Sequence, residues 1–147
     1  MFRKPRHLGS AAAVGLATVA VAGTALAARP LTNSFYADSK SQLTLETDAK
    51  KNISQSQLYC PAGHKPRYIV HPGLASTGRP IAVNKQGTFH FDQRVAVNTP
   101  DGGTLLQKSR VVFSGRFVSP KEVKGTYHLY KGACKTYAFD AKRTGHS

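Results

Sequence analysis

Residues 111–130, VVFSGRFVSPKEVKGTYHLY, decide the fold of this chain. Apolar side chains stand at alternate positions on both sides of Ser119 and Pro120, so each segment has one apolar and one polar face. A period of two is typical of a strand that is buried on one face and in contact with water on the other. The proline marks a turn, and the stretch is therefore predicted to form two neighbouring antiparallel strands.

The same alternation extends to the flanking sequence. Residues 88–97, TFHFDQRVAV, and residues 134–143, CKTYAFDAKR, each place their aromatic side chains in one parity. Fainter extended segments precede them, at residues 43–45, 53–60, 67–70 and 81–83. About seven strands joined by short turns predict an all-β fold, either an antiparallel β-sandwich or a flattened barrel.

The N-terminus has the pattern of a secretory signal peptide over residues 1–27. Arg3, Lys4 and Arg6 precede a run of small apolar residues, and Ala25 and Ala27 supply the small side chains of a cleavage site. We expect a secreted protein that is cleaved between Ala27 and Ala28, with no transmembrane segment in the mature chain. The alternative is a retained membrane anchor, because the apolar stretch is about long enough to span a bilayer.

The mature chain, residues 28–147, is expected to contain one domain. Residues 28–40 are polar without a period and predict a flexible N-terminal arm, and residues 41–147 predict the single β domain. Residues 61–80 contain four prolines and three glycines, which favours a loop. No window of ten or more mature residues has a helical period, so any helix is expected to be short.

The two cysteines, Cys60 and Cys134, are expected to form one disulfide bond, because export places them where disulfides persist. The alternative is a metal site that begins with Cys60 and His64. That spacing has no second closely spaced pair beside it, so the sequence favours the disulfide.

Gly115 and Gly125 interrupt two of the predicted strands. Glycine inside a strand marks a bulge or a close approach of backbone, and we expect both to relieve crowding where the sheet coils. The alternative is that a ligand approaches the sheet at these positions.

The order of four segments resembles a known pattern. A G-x-F strand at Gly87, an F-S-G-x-F strand at Phe113, a G-T strand at Gly125 and the late Cys134 stand in that order. The chain is similar in this to a largely uncharacterised class of small secreted bacterial β-sandwich domains. The resemblance covers residues 43–143 and implies the fold and one disulfide bond, with no activity and no catalytic residue.

Catalytic and metal-binding patterns are weak. The sequence around Ser114 lacks the Gly-x-Ser-x-Gly turn of a hydrolase nucleophile. Asp92, Glu122 and Asp140 stand in outward parity beside cations, which lower a carboxyl pKa and make it unsuitable as a general acid. His90 and His128 share that parity without a third ligand. We predict no catalytic residue, no metal site and no cofactor.

Positive charge is the one global feature that stands out. The mature chain has 18 Lys and Arg against seven Asp and Glu. Such a surface attracts polyanions: teichoic acids, lipid headgroups, extracellular nucleic acid or acidic glycans. Specific nucleic-acid recognition is not expected, because no exposed aromatic ladder accompanies the charge. The outward cations that could form a basic face are Arg94, Lys108, Arg110, Arg116, Lys124 and Lys142.

Three functions are compatible with these patterns. The first is a non-catalytic secreted protein that binds anionic envelope polymers through the basic face. The second is a small secreted hydrolase, and the third is an effector or inhibitor that presents residues 61–80 to a partner protein. The charge would serve only solubility if none of the polyanions binds.

Overall fold

The computed structural model describes residues 27–40, 42–60, 68–98, 105–130 and 136–147. Each strand pairs antiparallel with the next, and the last strand pairs with the first, so the sheet closes into a barrel. The all-β prediction is confirmed. Of the two expected architectures, a β-sandwich and a barrel, the structure has the barrel. The elements of the described chain are, in order, β1 (Ser34–Asp38), β2 (Leu43–Thr47), β3 (Ile53–Tyr59), β4 (Ile69–Val70), α1 (Leu74–Thr77), β5 (Thr88–Asn98), β6 (Leu105–Ser119), β7 (Glu122–Leu129) and β8 (Thr136–His146).

The apolar side chains at the inward-facing positions of the strands fill the inside of the barrel. Tyr127, Phe113 and Phe117 are among the largest side chains that are fully buried. The rings of Phe89 and Phe113 meet edge to face, with centroids 4.9 Å apart. This geometry is favoured because the positive edge of one ring faces the negative face of the other.

Gly115 and Gly125 are register partners at the centre of one row that crosses four strands. Phe89 pairs with Gly115 and Phe139 pairs with Gly125, so the row reads Phe, Gly, Gly, Phe on the inner face. A Cβ on Gly115 would lie 2.7 Å from Cζ of Phe89, and one on Gly125 would lie 2.7 Å from Cζ of Phe139. The glycines therefore make room for the two rings, which confirms the predicted close packing.

The predicted N-terminal arm is wrong, because residues 34–38 form β1. This strand pairs with both β2 and β8 and closes the barrel. Tyr36 is fully buried, and its hydroxyl donates to the carbonyl of Pro120 at 2.7 Å. β1 is not apparent from the sequence pattern, because the strand is five residues long and contains only two large apolar side chains.

The wall between β3 and β5 is the irregular part of the barrel. β4 contributes two residues, and within the described ranges it has one register pair with β5, Ile69 with Asn98. Ile81 was expected to begin a strand but makes a single bridge, to Ile53. Within the 61–80 segment, Ile69 and Val70 thus belong to the barrel wall, residues 74–76 and 78–80 are exposed, and residues 61–67 lie outside the described residues.

Some predictions fall outside the described chain. Residues 1–26 of the predicted signal peptide and Cys134 are not among the described residues. Cys60 is buried at the end of β3, and the described chain contains no free cysteine. The bond between Cys60 and Cys134 stays a prediction. No helix within the described ranges is long and apolar enough to cross a membrane.

Candidate functional site

The outer face of β5–β8 brings the six predicted cations onto one surface. All six are exposed, because their parity is opposite to that of the buried aromatic residues. We call this surface the basic face; its cations are Arg94 on β5, Lys108, Arg110 and Arg116 on β6, Lys124 on β7 and Lys142 on β8.

The first part of the basic face, the Arg94 end, consists of Arg94, Lys108 and Arg110. Arg94 and Arg110 are register partners on adjacent strands. The Arg110 guanidinium donates to both carboxylate oxygens of Asp92 at 2.7 Å and lies 5.0 Å from the ring centroid of Tyr130. The hydrogen bonds to Arg110 lower the pKa of Asp92. Three cations share one carboxylate at this end.

The second part, the Lys142 end, consists of Arg116, Lys124 and Lys142. The ammonium group of Lys124 lies 3.2 Å from a carboxylate oxygen of Glu122 and 3.3 Å from one of Asp140. These two carboxylates raise the pKa of Lys124. Three cations share two carboxylates here, so this end is less positive than the Arg94 end.

Two hydroxyl–imidazole pairs lie between the two ends. Nδ1 of His90 is 2.6 Å from Oγ of Ser114, and Nδ1 of His128 is 2.6 Å from Oγ1 of Thr136. Each pair joins register partners on neighbouring strands. The ring of His128 also contacts the ring of Tyr130, with centroids 4.1 Å apart and planes tilted by 53°.

The Ser114–His90 pair has two of the three groups of a catalytic triad. A triad needs a third group that orients the imidazole. Asp92 stands two residues from His90 on the same face, but both of its carboxylate oxygens accept from Arg110. The lowered pKa of Asp92 also makes it a poor general acid. The contact between Ser114 and His90 is therefore a hydrogen bond on the protein surface.

Beside β5 the barrel wall opens into a cleft of about 630 Å³. One side is the edge of β5 at residues 90–93, and the other is the segment from Thr77 to Ala82. Gln93 stands in the inward parity yet is exposed, because the wall is open at this point. The edge of β5 that faces the cleft has backbone partners at its two ends: Asn84 bonds to Thr88, and Ile69 pairs with Asn98. The residues of β5 between these ends have no backbone partner on that edge among the described residues.

Sequence parity predicted the exposure of the six cations but not their partners. The bidentate contact of Arg110 with Asp92 depends on the register of β5 with β6, which no local pattern gives. Tyr130 was also missed as a site residue, although its side chain is 54% exposed. Tyr130 stands two residues from His128 in the outward parity, and this position indicates an exposed aromatic ring on the basic face.

The described chain holds no group of three His, Cys, Asp or Glu side chains that could bind a metal ion. Comparison with known proteins adds no assignment: no family model matches the chain, and no match was found among curated proteins or solved structures.

Proposed function

We propose that the chain is a secreted, non-catalytic β-barrel protein that binds anionic polymers of the cell envelope through the basic face. The observation that carries this proposal is the placement of six exposed cations on four neighbouring strands, with three carboxylates to balance them. Polymers with closely spaced phosphates, such as teichoic acids, bind to such a surface mainly by releasing counterions.

Secretion is the second part of the proposal. Ala28 packs against the core, and Arg29 donates to the carbonyl of Val83 at 3.5 Å. Cleavage between Ala27 and Ala28 keeps both contacts in the mature chain. Mass spectrometry of the culture supernatant should find an N-terminus within about two residues of Ala28. Recovery of full-length protein only in the membrane pellet would contradict secretion.

The geometry favours polymer binding over the two alternatives. A hydrolase would need an oriented base, and Asp92 is committed to Arg110. For an effector that presents the 61–80 segment, the described part of that segment gives weaker support, because Ile69 and Val70 are buried strand residues. On the basic face, Arg94 and Arg116 are exposed and have no carboxylate partner among the described residues, so they can meet an extended polyanion directly.

A salt-dependent titration tests the proposal. The purified protein is titrated with teichoic acid and with a generic nucleic acid at about 50 and 200 mM salt, and binding should weaken by orders of magnitude over that interval. Arg94→Glu with Arg116→Glu should abolish it, because these cations have no carboxylate partner among the described residues.

The matched control is Lys40→Glu with Lys50→Glu, which changes the net charge equally in the turns beside β2. This control should bind nearly as well as the wild type, since both positions lie off the basic face. Equal loss in the two double variants would show that only the total charge matters. Absence of binding by the wild type at low salt would refute the proposal.

A further inference from the structure

A second cavity lies at the Arg94 end of the basic face. Its volume is about 340 Å³, at the lower end of the range for small-ligand sites. His71 and Ser76 line it from the segment between β4 and β5, and Asn98, Arg94 and Lys108 line it from β5 and β6. No carboxylate is among the described residues that line this cavity.

An irregularity in the strand pairing places Lys108 at this cavity. Val95 pairs with Ser109, but Val97 pairs with Leu106, so β6 has one extra residue opposite Ala96. Lys108 lies within this bulge. Bulges re-aim side chains and occur often next to binding sites. The bulge therefore brings Lys108 to the same cavity as Arg94.

The positive charge in the cavity is uncompensated. Arg94 faces Arg110 directly across the two strands, and like charges in that position repel each other. Asp92 balances Arg110, with which it forms a bidentate pair, and leaves Arg94 and Lys108 without a carboxylate among the described residues. An anion bound by Arg94 and Lys108 would offset this positive charge.

The other polar groups complement an oxyanion. Asn98 carries an amide that can donate hydrogen bonds, and the Ser76 hydroxyl, which donates to the carbonyl of Gly73 at 3.2 Å, can rotate to donate to a ligand instead. Burial lowers the pKa of His71, so near neutral pH its imidazole is uncharged and offers one N–H. Two cations with several neutral donors are the usual set of partners for a phosphate group.

We propose that this cavity is a phosphate-binding site, formed by Arg94, Lys108, His71, Ser76 and Asn98. The proposal rests on the proposed function in one respect: the phosphate it takes is a phosphodiester group of the anionic polymer. A free phosphate ion has the same chemistry, and the experiment separates the two sources.

The test compares two double variants that remove two cations each from the basic face. Arg94→Gln with Lys108→Gln alters the cavity, and Arg116→Gln with Lys142→Gln alters the Lys142 end. Inorganic phosphate is titrated at constant ionic strength and followed by calorimetry and by backbone NMR shifts. The cavity variant should lose at least tenfold in phosphate affinity, whereas the Lys142-end variant should change less than twofold.

A variant without a charge change tests the geometry of the site. Ser76→Ala removes one hydroxyl and should weaken phosphate binding a few-fold. In the wild type, the largest shifts should fall on residues that line the cavity, such as Ser76 and Ala96. Equal phosphate affinity in the wild type and the cavity variant, or no phosphate binding at all, would refute the site.

The polymer titration distinguishes this inference from the proposed function. If both double variants weaken polymer binding equally and inorganic phosphate does not bind, the proposed function stands and the phosphate site in the cavity is refuted. If phosphate binds at the cavity but the polymer does not bind, the phosphate site stands with free phosphate as its ligand, and the proposed function is refuted. Both stand if the cavity variant loses more polymer affinity than the Lys142-end variant.

Discussion

The two halves of the barrel differ in how their strands are built. β5–β8 have 11, 15, 8 and 11 residues, and all but a few of their positions follow the alternation. β1–β4 have 5, 5, 7 and 2 residues and are joined to β5 through an irregular wall. The long half supplies the regular surface on which the basic face lies, and the short half closes the barrel.

Two buried tyrosine hydroxyls tie the halves together. Tyr36 of the short half donates to the carbonyl of Pro120 at 2.7 Å, and Tyr127 of the long half donates to the carbonyl of Tyr59 at 2.6 Å. The long half therefore depends on repeated close packing, whereas the short half depends on single well-placed contacts.

The largest effect is expected in the long half. Gly125→Ala should lower the free energy of unfolding by about 3 kcal/mol or more, because the new Cβ would overlap the backbone oxygen of Ser114. Chemical denaturation measures the loss. The control is Gly145→Ala, where no atom lies within 4 Å of the added methyl, and it should stay within about 0.5 kcal/mol of the wild type. Wild-type stability of Gly125→Ala would show that the row of glycines is not tightly packed.

The next effect concerns the bond predicted between the halves. Cys134→Ser should lower the free energy of unfolding by about 2–4 kcal/mol, because the disulfide restricts the unfolded chain. Cys60→Ser should cost a similar amount, and the double variant should cost no more than either single one. Peptide mapping without reduction should link the two cysteines. Two free thiols in freshly secreted protein would contradict the bond and reopen the metal alternative.

A smaller effect is expected at the two tyrosines. Tyr36→Phe and Tyr127→Phe should each lower the free energy of unfolding by about 1 kcal/mol, because each removes the hydrogen bond of a buried tyrosine hydroxyl. Tyr59→Phe is the control, since the hydroxyl of Tyr59 bonds to the nearby side chain of Gln57 and to no other residue that the structure describes. A loss at Tyr59 equal to that at Tyr127 would contradict a special role for the contacts between halves.

The same tyrosines predict an alkaline limit. Burial raises the pKa of Tyr36 and of Tyr127 above 10, so their contribution to stability is complete below pH 10 and is lost as the pH rises through the higher folded values. Unfolding followed by tyrosine absorbance should show this decline above pH 10. Each Phe variant should show a weaker decline than the wild type.

The smallest effect is expected at His71 in the irregular wall. Its folded pKa lies below 6.5, so its contribution is complete above that pH and is lost as the pH falls. Protonated His71 would also share its cavity with Arg94 and Lys108. His71→Gln should therefore reduce the decline in thermal stability between pH 7 and 5. An unchanged decline would place its cause elsewhere.

Sequence patterns predicted the long half well and the short half poorly. The parity of Phe89, Phe113 and Phe139 was readable because many consecutive residues repeat the same signal. β1 was missed because five residues with Tyr36 at their centre give too short a signal to separate from a polar tail. Its burial depends on β8, which lies about a hundred residues away along the chain.

The candidate site divides along the same line. The outward position of Arg94 and Lys124 follows from alternation, a property of the strand backbone itself. Two carboxylates balance the charge of Lys124, whereas Arg94 has no carboxylate partner among the described residues. This difference depends on which residues stand opposite each other in the sheet. Register is set by pairing across the whole sheet, so the difference between the two ends could not be read from the sequence.

The strand content, the inner and outer faces of β5–β8 and the excess of positive charge follow from the order of residues alone. Three features arise only in the folded chain: β1 closes a barrel, Gly115 and Gly125 stand side by side, and His71 and Lys108 line one cavity. The physical reason is the range of the interactions. Alternation is local to each strand, whereas closure, register and cavities arise only when distant segments pack together.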